Sequence, residues 1–144
     1  MRPTPGDMRR SAKADLIVDN GLNLESWFSQ FVEPLDVEHV VISDGVKPID
    51  ITSDAYAGKP NPHAWMSPLN VEIYVDNLVR AFTGIDPGGA VAFQANAVAY
   101  KKQLRQVHDD LVAALRTVPE KQRALVTCEG AFPYLTRDAG IAEH

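Results

Sequence analysis

The chain has 144 residues, 45% of them hydrophobic and 23% charged, an ordinary globular composition that excludes collagen-like, disordered and coiled-coil classes. A net charge of −5 with a pI near 5.3 argues against a nucleic-acid surface, since Lys and Arg gather into no stripe. The pairs Arg9-Arg10 and Lys101-Lys102 read as solvated helix surface. The single cysteine, Cys128, excludes an internal disulfide; within the apolar run 124–128 it reads as a buried small side chain. Residues 1–10 carry charge with no apolar stretch following, so no signal peptide is expected. No segment approaches the roughly 20 apolar residues of a membrane helix, and a soluble chain is expected.

In chain order, Thr4, Pro5 and Asp7 spell a capping box with proline at the first helical position. Arg9, Arg10 and Lys13 fall toward the end of that helix, where the dipole favours them. Residues 16–18 read as a short buried strand, followed by the turn Asp19-Asn20-Gly21. A helix is expected over 24–32 with Leu24, Trp27, Phe28 and Phe31 on one face. Residues 39–43 form a second apolar strand ending at Asp44-Gly45, giving a βαβ unit.

Residues 47–62 lack periodicity and are rich in Gly, Pro, Asp and Ser, so they read as a loop that delivers His63. An amphipathic helix is expected over 69–82, with Val71, Val75, Leu78, Val79 and Phe82 at spacings of three and four, stopped by Gly84. Asp86-Pro87 then opens a long helix to about residue 118, carrying Val91, Ala95, Val98, Leu104, Val107, Leu111 and Leu115. At 1.5 Å per residue its about 31 residues span roughly 46 Å, the reach of a strut between two lobes. After Pro119 a buried strand is expected over 123–128, a turn at Glu129-Gly130, and a helix over 131–138 with Gly140 past its end. One strand and one helix cannot close a core of their own.

Two residues carry candidate chemistry. His63 sits in Pro62-His63-Ala64-Trp65 with Pro60 before and Pro68 after, so little entropy is lost in holding its ring. A stiffly held neutral imidazole suits a metal site, although a loop histidine also serves as a surface or hydrogen-bonded structural residue. Glu129 follows a strand at its carboxyl end and precedes a glycine and a helix, where α/β folds place ligand-binding groups. A carboxylate there equally complements a helix dipole.

The strings Asn61-Pro-His-Ala-Trp-Met-Ser-Pro68 and Thr127-Cys-Glu-Gly-Ala-Phe-Pro-Tyr134, with the opening Pro3-Thr-Pro-Gly-Asp7 and Ala14-Asp-Leu-Ile-Val-Asp-Asn-Gly-Leu-Asn-Leu-Glu25, resemble the metal-binding solute-binding proteins of ABC importers, the manganese, iron and zinc group. The resemblance runs along essentially the whole chain in the right order. It implies two α/β lobes joined by one long helix, with a single metal ion held in the cleft as cargo by side chains from both lobes.

Carried over residue by residue, the resemblance puts metal ligands at His63 and Glu129. Glu129 stands where zinc-type members have a histidine, and an oxygen donor makes the site harder, favouring manganese or iron over zinc. Residues 53–60 also contain no histidine, unlike the His-rich loop of zinc-type members. The family's first ligand would fall before residue 1 and its fourth, an aspartate, beyond His144. The chain is therefore expected to be truncated at both ends, to bind metal weakly and to be of marginal stability. His39, His108 and His144 match no ligand position and are expected to be structural or solvated.

An enzyme reading finds no His-Glu-x-x-His, Gly-x-Ser-x-Gly or Gly-x-Gly-x-x-Gly motif. Besides metal capture, the chain could be a non-transporting remnant or fragment of such a protein, or serve an adhesion or interaction role, for which nothing in the sequence speaks. The expected class is α/β: a Rossmann-like partial N-terminal lobe (1–86), a strut helix (87–118) and the first βα element of a second lobe (119–144). The expected partner is a membrane permease of an ABC importer, with no nucleic acid and no enzyme substrate, and with self-association of the fragment through an exposed strand at 124–128. The resemblance places the full-length family in the periplasm or tethered to the extracytoplasmic surface.

Overall fold

The computed structural model describes residues 4–32, 35–126 and 130–143. Helix α1 (Pro5–Ser11) begins as the capping box requires: Thr4 Oγ1 accepts from the Asp7 N–H at 3.2 Å, and Asp7 Oδ2 accepts from the Thr4 N–H at 2.8 Å. Hydrogen bonds from the Thr4 hydroxyl and N–H, then from Arg10, hold the exposed Asp7 carboxyl down at about 2. Strand β1 (Leu16–Asp19) pairs in parallel with β2 (Glu38–Val41), in the register Leu16 to Glu38 through Asp19 to Val41. The expected βαβ topology is present.

The crossover differs from expectation. Only Ser29–Val32 is helical (α2), and residues 22–28 form successive tight turns. Gly21, Leu22 and Asn23 all adopt positive φ, at 76°, 51° and 66°. The Glu25 carboxylate folds back to accept from the Asn20 and Gly21 N–H groups, both at 3.1 Å. The left-handed run keeps a helix from starting before residue 24, and with residues 22–28 in turns the apolar spacing of Leu24 and Trp27 does not become a buried stripe. Each remains 42% exposed.

Helix α3 (Pro68–Ile85) runs through Gly84, which keeps a helical backbone, and is closed by Asp86. Glycine weakens a helix by about 1 kcal/mol but stops it only by turning left-handed. The Asp86 carboxylate accepts from the Gly89 N–H at 3.2 Å, capping one turn of 3₁₀ helix over Pro87–Gly89 that leads into α4 (Ala90–Arg116).

At 27 residues α4 is about 40 Å long. Ala97 is its buried residue against α3, while Leu104, Leu111 and Leu115 are half-buried and Val91, Val98 and Val107 are exposed. Phe82 and Phe93 pack with ring centroids 5.7 Å apart. Arg105 forks onto Glu72 with two 2.7 Å bonds, and Lys101 reaches Asp76.

Strand β3 (Ala124–Leu125) is shorter than expected and pairs in parallel with β4 (Ala142–Glu143), which the sequence did not announce. Ala124 is exposed and Val126 is 85% exposed, so this end of the expected strand is not buried. Cys128 lies outside the described residues. Helix α5 (Pro133–Ala139) ends at Gly140 with φ 66°, the left-handed closure expected of glycine there.

Among the described residues, Val46, Ala64, Tyr74 and Tyr134 form a packed core cluster, with Leu22, Ile42, Ile49, Trp65 and Ile73 around it. It lies beneath the His63 loop. Helix α5 contributes Tyr134, fully buried, which is how that segment finds a core it could not build alone.

Candidate metal site

His63 precedes a single turn of 3₁₀ helix, Ala64–Met66, which hands over to α3 at Ser67. Prolines alone do not hold this loop. Three buried asparagines grip consecutive residues of it. Asn20, directly after β1, donates to the Pro62 carbonyl at 3.1 Å; Asn61 accepts from the His63 N–H at 3.0 Å; Asn70, in the first turn of α3, donates to the Ala64 carbonyl at 3.1 Å. Each clamp is itself braced. Tyr74 donates to Asn20 Oδ1 at 2.8 Å, and Tyr134 donates to the Asn61 carbonyl at 2.7 Å while accepting from the Ile49 N–H at 3.1 Å.

The imidazole is fixed as well. His63 Nδ1 lies 2.8 Å from Asn61 Oδ1, and the ring packs tilted against Trp65 with centroids 5.2 Å apart. Asn61 thus engages Nδ1 and not Nε2. Metal-binding histidines characteristically have their other ring nitrogen held in this way.

The second candidate, Glu129, lies outside the described residues. Its neighbour Gly130 does not: the Asn61 amide donates to the Gly130 carbonyl at 2.6 Å. The same side chain therefore bonds the His63 loop and the turn after β3.

Helix α5, which follows that turn, is tied to the start of α3 at two further points. Fully buried Ser67 donates to Asp138, and Arg137 Nη2 reaches Asn70 Oδ1 at 3.4 Å. Burial opposes ionisation of Asp138, yet hydrogen bonds from Arg137 and Ser67 outweigh it and hold the carboxyl below its ordinary range. Asn20, which holds the Pro62 carbonyl of this loop, lies at the carboxyl end of parallel strand β1, where open α/β sheets bind ligands.

The other histidines occupy no expected ligand position, although His108 of α4 is close enough to Asp138 to act on its charge. His39 Nε2 pairs with Asp19 Oδ2 at 2.9 Å, His108 lies half-buried on α4, and His144 is outside the described residues. Among the described residues, no three His, Cys, Asp or Glu side chains gather closely enough to hold a metal ion. Cavities of about 360 and 340 Å³ flank α3 but are lined by residues such as His39 and Arg80, or Phe82 and Tyr100, remote in sequence from the His63 loop.

Residues 1–144 match the family described as zinc-uptake complex component A, periplasmic. The chain belongs to that family. The iron-binding protein YfeA of Yersinia pestis is 43% identical over 143 residues, covering 99% of this chain and 46% of the relative. The manganese ABC transporter substrate-binding lipoprotein PsaA of Streptococcus pneumoniae is 31% identical over 147 residues, covering 96% and 47%. A Mn-bound periplasmic metal binding protein from Candidatus Liberibacter asiaticus superposes with a TM-score of 0.88 at 34% identity, covering 99% of this chain and 54% of that one. The α/β class with its long helix is the one expected. The chain spans about half the length of the curated family members it matches.

Proposed function

We propose that this chain supplies one share of the metal site in the solute-binding component of an ABC importer, capturing manganese or iron, with zinc a further candidate. His63 and Glu129 are the ligands, one from each side of a cleft between a lobe of residues 1–86 and a lobe opening at 119, with 87–118 as the strut. The observation that carries this reading is the fixing of His63 by Asn61, which occupies Nδ1 and, among the described residues, leaves Nε2 available on a held ring.

An imidazole and a carboxylate together make a borderline-to-hard donor pair, which accords with manganese and iron in the names of relatives. Capture rather than turnover is the role, with release to a membrane permease on the extracytoplasmic side, in the periplasm or tethered to the surface. Metal entering between the loop and the 130 turn would draw the two together, and the permease would recognise that closed form.

The test is Mn²⁺ binding by calorimetry. His63→Ala and Glu129→Ala should each weaken binding by about tenfold or more, beyond the loss of a supporting partner. Unchanged binding in both variants would overturn the assignment.

A further inference from the structure

We propose that Asn61 is a positioning residue for metal capture: its one amide group selects which nitrogen of His63 is free to ligate, and couples the His63 loop to the turn at Gly130. The inference rests on the reading of His63 as a ligand and extends it to a residue that touches no metal.

The amide has one acceptor and one donor end, and its surroundings allow only one orientation. The NH₂ end lies 2.6 Å from the Gly130 carbonyl, which can only accept. The oxygen lies 3.0 Å from the His63 backbone N–H, which can only donate. Rotating the amide by half a turn would set oxygen against oxygen and N–H against N–H, breaking both bonds in a side chain only 5% exposed. The oxygen is therefore the atom 2.8 Å from His63 Nδ1, and a neutral His63 must carry its proton on Nδ1 to donate there. The lone pair is then on Nε2. The tautomer is set by the orientation of the Asn61 amide, which the Gly130 carbonyl and the His63 N–H fix together.

Because one rigid amide serves both partners, a shift of the Gly130 turn acts on the acceptor that holds the ring. The Asn61 backbone is fixed in turn by Tyr134 from α5. Ligand orientation on one side is thus set by the position of the chain on the other, before any ion is bound.

The experiment is nitrogen-15 NMR of the histidine rings in the metal-free chain, at a pH where His63 is neutral, with Mn²⁺ affinity measured beside it. The wild-type His63 ring should be protonated at Nδ1; protonation at Nε2 would overturn the inference without any variant being made. Asn61→Leu should lose that preference and weaken Mn²⁺ binding about 10- to 100-fold.

Asn61→Asp keeps an acceptor for the ring but cannot donate to Gly130. It should retain the Nδ1-protonated ring while the Gly130 resonance moves. An Asn61→Leu protein that keeps the wild-type tautomer or the wild-type affinity would contradict the inference. His63→Ala is the separating arm: if it leaves Mn²⁺ affinity unchanged, the ligand assignment fails, and the NMR result still decides the tautomer.

Discussion

Burying an amide or a phenol is unfavourable unless its donors and acceptors are matched, and around His63 that matching sets the geometry. The Tyr134 hydroxyl donates to the Asn61 carbonyl and accepts from the Ile49 N–H, so Tyr134→Phe leaves both backbone groups unpaired. A loss of about 1–3 kcal/mol in urea unfolding is expected; a loss within error would mean the hydroxyl is dispensable. Burial, then the nearby Tyr134 and Glu25, pushes the Tyr74 hydroxyl up to about 12 from 10.0. A raised acid retains its proton longer in the folded chain, so its contribution is whole below pH 10 and is lost as pH rises through 12. Wild type should show that alkaline loss of stability, and Tyr74→Phe should lack its share. His63 was legible because three prolines and a tryptophan around one histidine form an unusual local pattern. Asn20, Asn61 and Asn70 were not legible as clamps: Asn-Gly reads as a turn and an asparagine in a helix as surface, and only the tertiary fold makes them partners of one loop.

At the scale of elements, spacing succeeded where the backbone was free to follow it. The capping box of α1, the proline and aspartate before α4, and Gly140 after α5 all act locally, so sequence alone locates them. The helix expected over 24–32 is cut back to Ser29–Val32, because the Glu25 carboxylate folds back onto the Asn20 and Gly21 N–H groups and residues 22–28 turn instead. Helix α3 shows a further limit: its buried positions include Asn70, Glu72 and Asn77 beside Val75, which an apolar count does not find. Glu72 is buried because Arg105 of α4 forks onto it, and that hydrogen bond outweighs burial to hold its carboxyl below the ordinary 4.5. A depressed carboxyl stabilises the fold above the unfolded value and loses that contribution as pH falls below it. Stability should therefore drop below about pH 4.5, and Glu72→Gln should remove part of that acid loss while costing about 1 kcal/mol at neutral pH. Equal acid profiles for the two proteins would show that the α3–α4 fork contributes nothing.

For the whole molecule, the core lies under the candidate site. Ala64 and Tyr134 are both fully buried in the same cluster, so packing and ligand positioning share residues, and substitutions there should affect both. The family was legible in the motif strings, since Asn61-Pro-His-Ala-Trp65 and the string over 127–134 stand in the same order along the chain as in the family they resemble. The docking of α5 onto that segment was not, because it depends on contacts across about seventy residues of chain. Ligation by His63 through Nε2, on a ring held by Asn61, is open to direct observation. Anomalous diffraction from Mn²⁺-soaked crystals of this chain addresses it most directly. A manganese peak within bonding distance of His63 Nε2, with Nδ1 still against Asn61, is the predicted result; an ion on Nδ1, or ordered manganese only at sites away from His63, would contradict it.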